Sequence, residues 1–227
     1  MRLVALTGGI ATGKTTTGNI LREFKIPIID SDQIAHEVEL PTGEAYPKIV
    51  AHFGDKILSP DGSIDRKALG AIVFKQESER QVLNRIVHPI VFKTLFLRAF
   101  KLWLSGESII ILDIPLFFEG RLPRFLFNDI VTVQCTTEVE RQRLCARNNI
   151  STEEADRRMK HLVPMEKKIS LSTIVIDNNG TEEELRSQVE EVVKKWKNQR
   201  MSFLKYPSPF LLLGYLILII ALILKLI

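Results

Sequence analysis

The sequence predicts an α/β domain, a parallel sheet with helices on both faces, followed by an apolar C-terminal helix. Three observations predict it. Short apolar runs at 3–6, 27–30, 109–114, 130–134 and 173–176 alternate with longer helix-compatible stretches, the pattern of parallel sheets buried on both faces. The first run leads into Gly8, Gly9, Ile10, Ala11, Thr12, Gly13, Lys14 and Thr15, which fits G-x-x-x-x-G-K-[ST] between a strand and a helix. The stretch 209–227 is apolar apart from Gly214, the phenol of Tyr215 and Lys225.

The loop between the first strand and the helix at 16–24 is the most specific element. Its glycines let successive backbone N–H groups converge on phosphate oxygens, with Lys14 as a point charge and Thr15 offering a hydroxyl to Mg²⁺. ATP is the natural nucleotide for such a loop.

The second strand delivers Asp30, Ser31 and Asp32 to the sheet's carboxyl edge, where ligands of such sheets sit. In extended geometry Asp30 and Asp32 point the same way, and one of them can accept a proton from an attacking hydroxyl. Each aspartate reads equally well as a helix cap. About 80 residues separate the second and third runs, too many for one crossover helix, so the gap is read as an inserted substrate-binding subdomain. Asp113 closes the third strand in the position of an acid that holds Mg²⁺ directly or through water.

Residues 138–149 read as helix, with Arg143 and Arg147 four apart on one face and Arg141 beside them. Such a helix suits a lid that closes basic groups over phosphates. It suits equally a solvated face paired with residues such as Glu140.

A chain of 227 residues holds one α/β domain with modest insertions. Cys135 and Cys145 form no disulfide framework and lack metal-ligand spacing, which fits a reducing compartment. The run 3–6 is too short for a signal peptide. At ~1.5 Å per residue the helix 209–227 would be ~28 Å long, about the thickness of a bilayer's hydrocarbon core, and it has no polar stripe. Lys225 can snorkel to the far interface. Lys194, Lys195, Lys197, Arg200 and Lys205 precede the span, so the positive-inside rule keeps the body in the cytosol, as in a tail anchor. This cluster accounts for much of the net charge of +4 and reads as attraction to anionic lipid. Without interleaved aromatics, nucleic acid is not an expected partner.

Together these residues give a chain that resembles the dephospho-CoA kinases from residue 2 to about 180. The resemblance rests on an ordered set: Leu6-Thr7-Gly8-Gly9-Ile10 leading into Gly13-Lys14-Thr15; Ile29-Asp30-Ser31-Asp32-Gln33-Ile34-Ala35; Asp61-Gly62-Ser63-Ile64-Asp65-Arg66 with Leu69-Gly70; His88-Pro89; Pro115-Leu116-Phe117-Phe118-Glu119; Arg143 with Arg147; and Ile176-Asp177-Asn178-Asn179-Gly180. It implies a P-loop kinase core over 1–204, a helical CoA-binding insertion at about 33–103, a lid at about 138–168 and the anchor at 209–227. It implies transfer of the ATP γ-phosphate to the ribose 3′-hydroxyl of dephospho-CoA, the last step of coenzyme A synthesis, with Mg²⁺. Carried over by position, Asp32 is the base. Lys14 and the loop amides of Gly8, Gly9, Ile10, Ala11, Thr12, Gly13 and Thr15 hold the phosphates, Arg143 and Arg147 bind ATP from the lid, and Lys14 and Arg147 act in catalysis, Arg147 closing from the lid. Thr7, Asp32, Arg66 and His88 face the substrate, although packing explains His88-Pro89 equally well.

Ala11-Thr12 stands where Gly-Ser is more usual, and Thr15 where Ser is; both changes keep the donors. The apolar tail is absent from bacterial relatives and resembles a feature of some eukaryotic ones, which would put the chain on the ER or mitochondrial outer membrane. An upstream enzyme of the pathway is a further candidate partner. The alternatives are a kinase of another small hydroxylated metabolite and a nucleotide-binding membrane scaffold for enzymes of the same pathway. A GTPase is disfavoured, because Asp113 at the end of the third strand does not open a D-x-x-G and no N-K-x-D occurs.

Overall fold

The computed structural model describes residues 1–120, 122–160 and 162–199. The segment 209–227 read above as a membrane anchor lies outside them, as do Arg200 and Lys205. Among the described residues no helix is long and apolar enough to cross a membrane.

In chain order the elements are β1 (Arg2–Gly8), α1 (Lys14–Glu23), β2 (Ile28–Asp30), α2 (Ser31–Val38), α3 (Tyr46–Phe53), α4 (Arg66–Lys75), α5 (Glu77–Leu104), β3 (Ile109–Asp113), β4 (Asp129–Gln134), α6 (Thr137–Asn148), α7 (Thr152–Lys160), α8 (Met165–Ser170), β5 (Ile174–Asp177) and α9 (Glu182–Asn198). They form two compact units, one from residues 1–29 with the described residues from 100 onward, the other from Asp30–Ala99.

The first unit is built on a five-stranded sheet ordered β2-β3-β1-β4-β5. β1 runs parallel to both neighbours, with Val4 opposite Ile111 in β3 and Asp129 in β4, and β4 runs parallel to β5. From β1 the chain leaves for one side of the sheet, and after β3 it crosses to the other. The carboxyl end of β1 is therefore a topological switch point, where such sheets hold their ligands.

Burial follows from the two-residue period of the strands. Val4 and Leu6 of β1, Ile109 and Ile111 of β3 and Val131 and Val133 of β4 pack in one cluster with Ile20 and Leu21 of α1 and Leu185, Val189, Val193 and Trp196 of α9. Leu3, Ala5 and Thr7 alternate with them and are also fully buried, as are Ile110 and Leu112, so both faces are covered. Trp196 is only 1% exposed, and its indole N–H donates to Asp129 Oδ2 at 3.1 Å, which satisfies the polar end of the cluster's largest side chain.

The second unit is helical. Asp65 caps α4 by accepting from the amides of Lys67 and Ala68 at 2.8 and 3.1 Å, and the Tyr46 hydroxyl donates to the Gly62 carbonyl at 2.5 Å. α5 runs on through Pro89, the residue that cannot donate within the helix.

Candidate active site

The first unit carries the phosphate-binding loop at the end of β1. Gly13 caps α1 with φ +96°, in the left-handed region that favours glycine. A Cβ there would lie 2.0 Å from Asn178 Nδ2, whose N–H group donates to the Thr12 carbonyl at 2.8 Å. Substitution Gly13→Ala therefore meets both a backbone and a steric penalty. It is expected to lower ATP affinity by at least about tenfold and stability by about 1–3 kcal/mol, as read by calorimetry and thermal melting.

The rest of the loop is held from inside. Thr12 is fully buried, and its hydroxyl donates to the Gly9 carbonyl at 3.1 Å. Ala11 has φ +58°, a strained value for a residue with a Cβ. Thr7 is buried and donates to the Pro115 carbonyl at 3.0 Å. Thr15 is exposed in the first turn of α1, where N–H groups have no intrahelical acceptor and the helix dipole favours an anion.

Lys14 reaches Asp113 at the end of β3, Nζ to Oδ1 at 2.5 Å, with Asp113 only 6% exposed. The lysine expected to face phosphate and the acid expected to face metal thus neutralise each other in this structure. Thr15 and Asp113 offer hard oxygen donors. They fit a cation such as Mg²⁺ that takes most of its shell from phosphate and water.

Three ionic groups gather beneath the loop: Lys168, which the sequence did not single out, Glu119, which it gave only as part of a motif, and Glu140, which it gave as a surface partner. Lys168 of α8 is 1% exposed; its ammonium donates to the Gly8 carbonyl at 3.3 Å and pairs with Glu119 Oε1 at 2.9 Å. Glu119 Oε1 also accepts from the Val163 amide at 3.1 Å. Glu140 of α6 is 7% exposed and lies against the loop, since a Cβ on Gly9 would stand 2.6 Å from its Oε1; burial pushes its carboxyl above the ordinary range, opposed by Lys168 and then by the Ile10 N–H. Glu140 is therefore no surface partner for the arginines of α6. The one sequence signal for it was its spacing, four residues before the fully buried Leu144.

Arg143 and Arg147 do not share an environment. Arg143 donates to the Asn178 carbonyl at 2.9 Å, whereas Arg147 is exposed and its Nε–H donates to neighbouring Asn148 at 2.8 Å. Arg141 pairs with Asp156 at 2.7 Å and Glu138 at 2.5 Å, tying α6 to α7. A cavity of about 280 Å³ is lined by Gly9, Glu140 and Lys168 together with Asp156, Met159 and Met165.

Asp32, Arg66 and His88 belong to the second unit. The extended geometry expected for Asp30 and Asp32 does not occur. Asp30 caps α2, accepting from the amides of Asp32 and Gln33 at 2.8 and 3.2 Å, so Asp32 sits, exposed, in the first helical turn. Arg66 opens α4 and donates to Glu39 Oε2 at 2.8 Å, with His36 Nδ1 at 2.6 Å. Burial raises the Glu39 carboxyl, opposed by Arg66 and then His36. His88 is exposed, with its ring 5.9 Å from that of Phe92.

A family model described as Dephospho-CoA kinase matches residues 2–184. The chain is 43% identical to the dephospho-CoA kinase of Carboxydothermus hydrogenoformans, over 86% of this chain and 94% of that one. It is 39% identical to that of Arabidopsis thaliana, over 85% of this chain and 83% of that one. Its fold is similar to the solved dephospho-CoA kinase from Campylobacter jejuni, with a TM-score of 0.69 and 26% identity over 88% of this chain and all of that one. A P-loop at the switch point of a parallel sheet and a match that runs the length of that sheet lead to one conclusion: the chain belongs to the dephospho-CoA kinase family.

Proposed function

We infer that this chain is an active dephospho-CoA kinase and that its residues divide the work as follows. It phosphorylates dephospho-CoA with ATP to give coenzyme A and ADP, the final step of CoA biosynthesis. The observation that carries this reading is the family match over residues 2–184, which includes the whole phosphate-binding loop.

The amides of the loop and Lys14 hold the ATP phosphates. Lys14 exchanges the Asp113 carboxylate for a phosphate oxygen when ATP arrives. Thr15 and Asp113 would hold Mg²⁺, which would supply neutralisation of phosphate charge. Asp32, two residues past β2, takes the proton of the attacking ribose 3′-hydroxyl. Arg147 of α6, exposed at the surface, moves to the transferred phosphoryl group, while Arg143 orders the turn at Asn178 behind the loop. Thr7 borders the phosphate pocket, and Arg66 and His88 contact the CoA moiety within the residue 33–103 insertion. The position of the accepting hydroxyl is tested with 3′-deoxy-dephospho-CoA as acceptor. No transfer is expected, and a phosphorylated product would reassign it.

Residues 209–227 anchor the chain in a membrane with the kinase body in the cytosol. The support is their length, their lack of a polar stripe and the lysines at 194, 195 and 197 that precede them. The full chain is expected in the membrane fraction after alkaline carbonate extraction, on the ER or mitochondrial outer membrane. Recovery in the soluble fraction would contradict the anchor.

A further inference from the structure

The groups beneath the phosphate-binding loop form a device that the loop itself does not need. P-loops cradle phosphate with their own backbone amides and lysine. Here two helices that follow β4 send ionic side chains to the loop's first half. Lys168 of α8 holds the Gly8 carbonyl, where the chain leaves the sheet. Glu140 of α6 lays its carboxylate against the backbone at Gly9, on the side of the Ile10 N–H two residues further on. Between them Gly9 admits the close approach, since a Cβ there would stand 2.6 Å from Glu140 Oε1 and 2.8 Å from Met165 Cε.

Stability alone does not call for these charges. A methionine of similar volume at a site 1% exposed would fill the space without desolvating an ammonium and two carboxylates. What an apolar side chain cannot do is fix a backbone carbonyl and a backbone amide in direction. Those two groups set where the loop starts, and so where its later amides point.

We propose that Lys168 and Glu140 are positioning residues for ATP, holding Gly8 and Ile10 so that the loop is preorganised for phosphate only while α6 and α8 are in place. The lid helices and the nucleotide loop are thereby one mechanical unit. The acceptor takes no part in this linkage, so its affinity should be independent of it. This rests on the reading of residues 8–15 as the ATP site.

The test is calorimetry of the full chain with ATP and, separately, with dephospho-CoA, the fitted stoichiometry giving the folded fraction. Lys168→Met and Glu140→Ala are expected to weaken ATP binding about tenfold, one lost directional bond to a charged group, and to leave dephospho-CoA binding within about twofold. Glu140→Gln, which keeps an acceptor for Ile10, is expected to bind ATP as the unmodified chain does. Unchanged ATP affinity in Glu140→Ala overturns the proposal, as does an equal loss in Glu140→Gln, which would make the charge rather than the bond responsible. If Lys168→Met does not fold, the Glu140 pair decides. Lys14→Met separates the underlying reading: if it binds ATP normally, residues 8–15 are not the ATP site and the failure lies there.

Discussion

Replacing Asp32 by asparagine is expected to lower kcat by about 10²–10⁴-fold, the range for loss of a positioned general base, while ATP affinity changes by no more than about twofold. The amide keeps the size and polarity of the side chain but cannot take the hydroxyl proton. Folding should be little affected, because the cap of α2 is Asp30 rather than Asp32. The charge of Asp32 in an exposed first turn is worth ~0.3–1 kcal/mol, and its loss corresponds to a fall in Tm of no more than about 4 °C. A variant that melts normally, binds ATP and turns over slowly assigns the base; normal turnover would remove Asp32 from the mechanism.

Lys14→Met should have the second large effect, through two separable causes. In catalysis it removes a preorganised cation from the phosphates, expected to lower kcat/KM by at least about 10²–10³-fold. In the ATP-free protein it strips Asp113, 6% exposed, of a partner 2.5 Å away, expected to cost about 1–3 kcal/mol. The double variant Lys14→Met/Asp113→Asn should recover the melting temperature and none of the activity. Recovery of activity in the double variant would show that Lys14 serves the fold rather than the phosphates.

Much of the sheet was legible in the sequence because β-structure buried on both faces leaves a local mark. Each of the five apolar runs became a strand within two residues of its expected bounds. Thr173 falls just outside β5 because its hydroxyl accepts from the Ile130 amide at 2.9 Å, side chain standing in for ladder. The phosphate loop was legible for the same reason, its geometry being encoded in eight consecutive residues.

What was not legible depends on distance along the chain or on competition between local choices. Asp30 and Asp32 read as an extended pair, but Asp30 captures two amides and turns the chain into helix at Ser31, and from sequence the cap and the extended strand were evenly matched. Lys168 sits in the charged run Glu166-Lys167-Lys168, where nothing local sets it apart. Only the fold brings it to Gly8, 160 residues away. The pairing of Lys14 with Asp113 spans 99 residues and could not be separated beforehand from two independent ligand contacts. Buried ions have no periodicity of their own, so their partners appear only in three dimensions.

The most direct measurement incubates the full chain with MgATP and dephospho-CoA and follows the acceptor by mass spectrometry, with Asp32→Asn in parallel at the same enzyme concentration. The account predicts that the acceptor gains one phosphate with the unmodified chain and that this gain is nearly abolished in Asp32→Asn. No phosphate gain by a folded, ATP-binding chain, or an undiminished rate in Asp32→Asn, would contradict it.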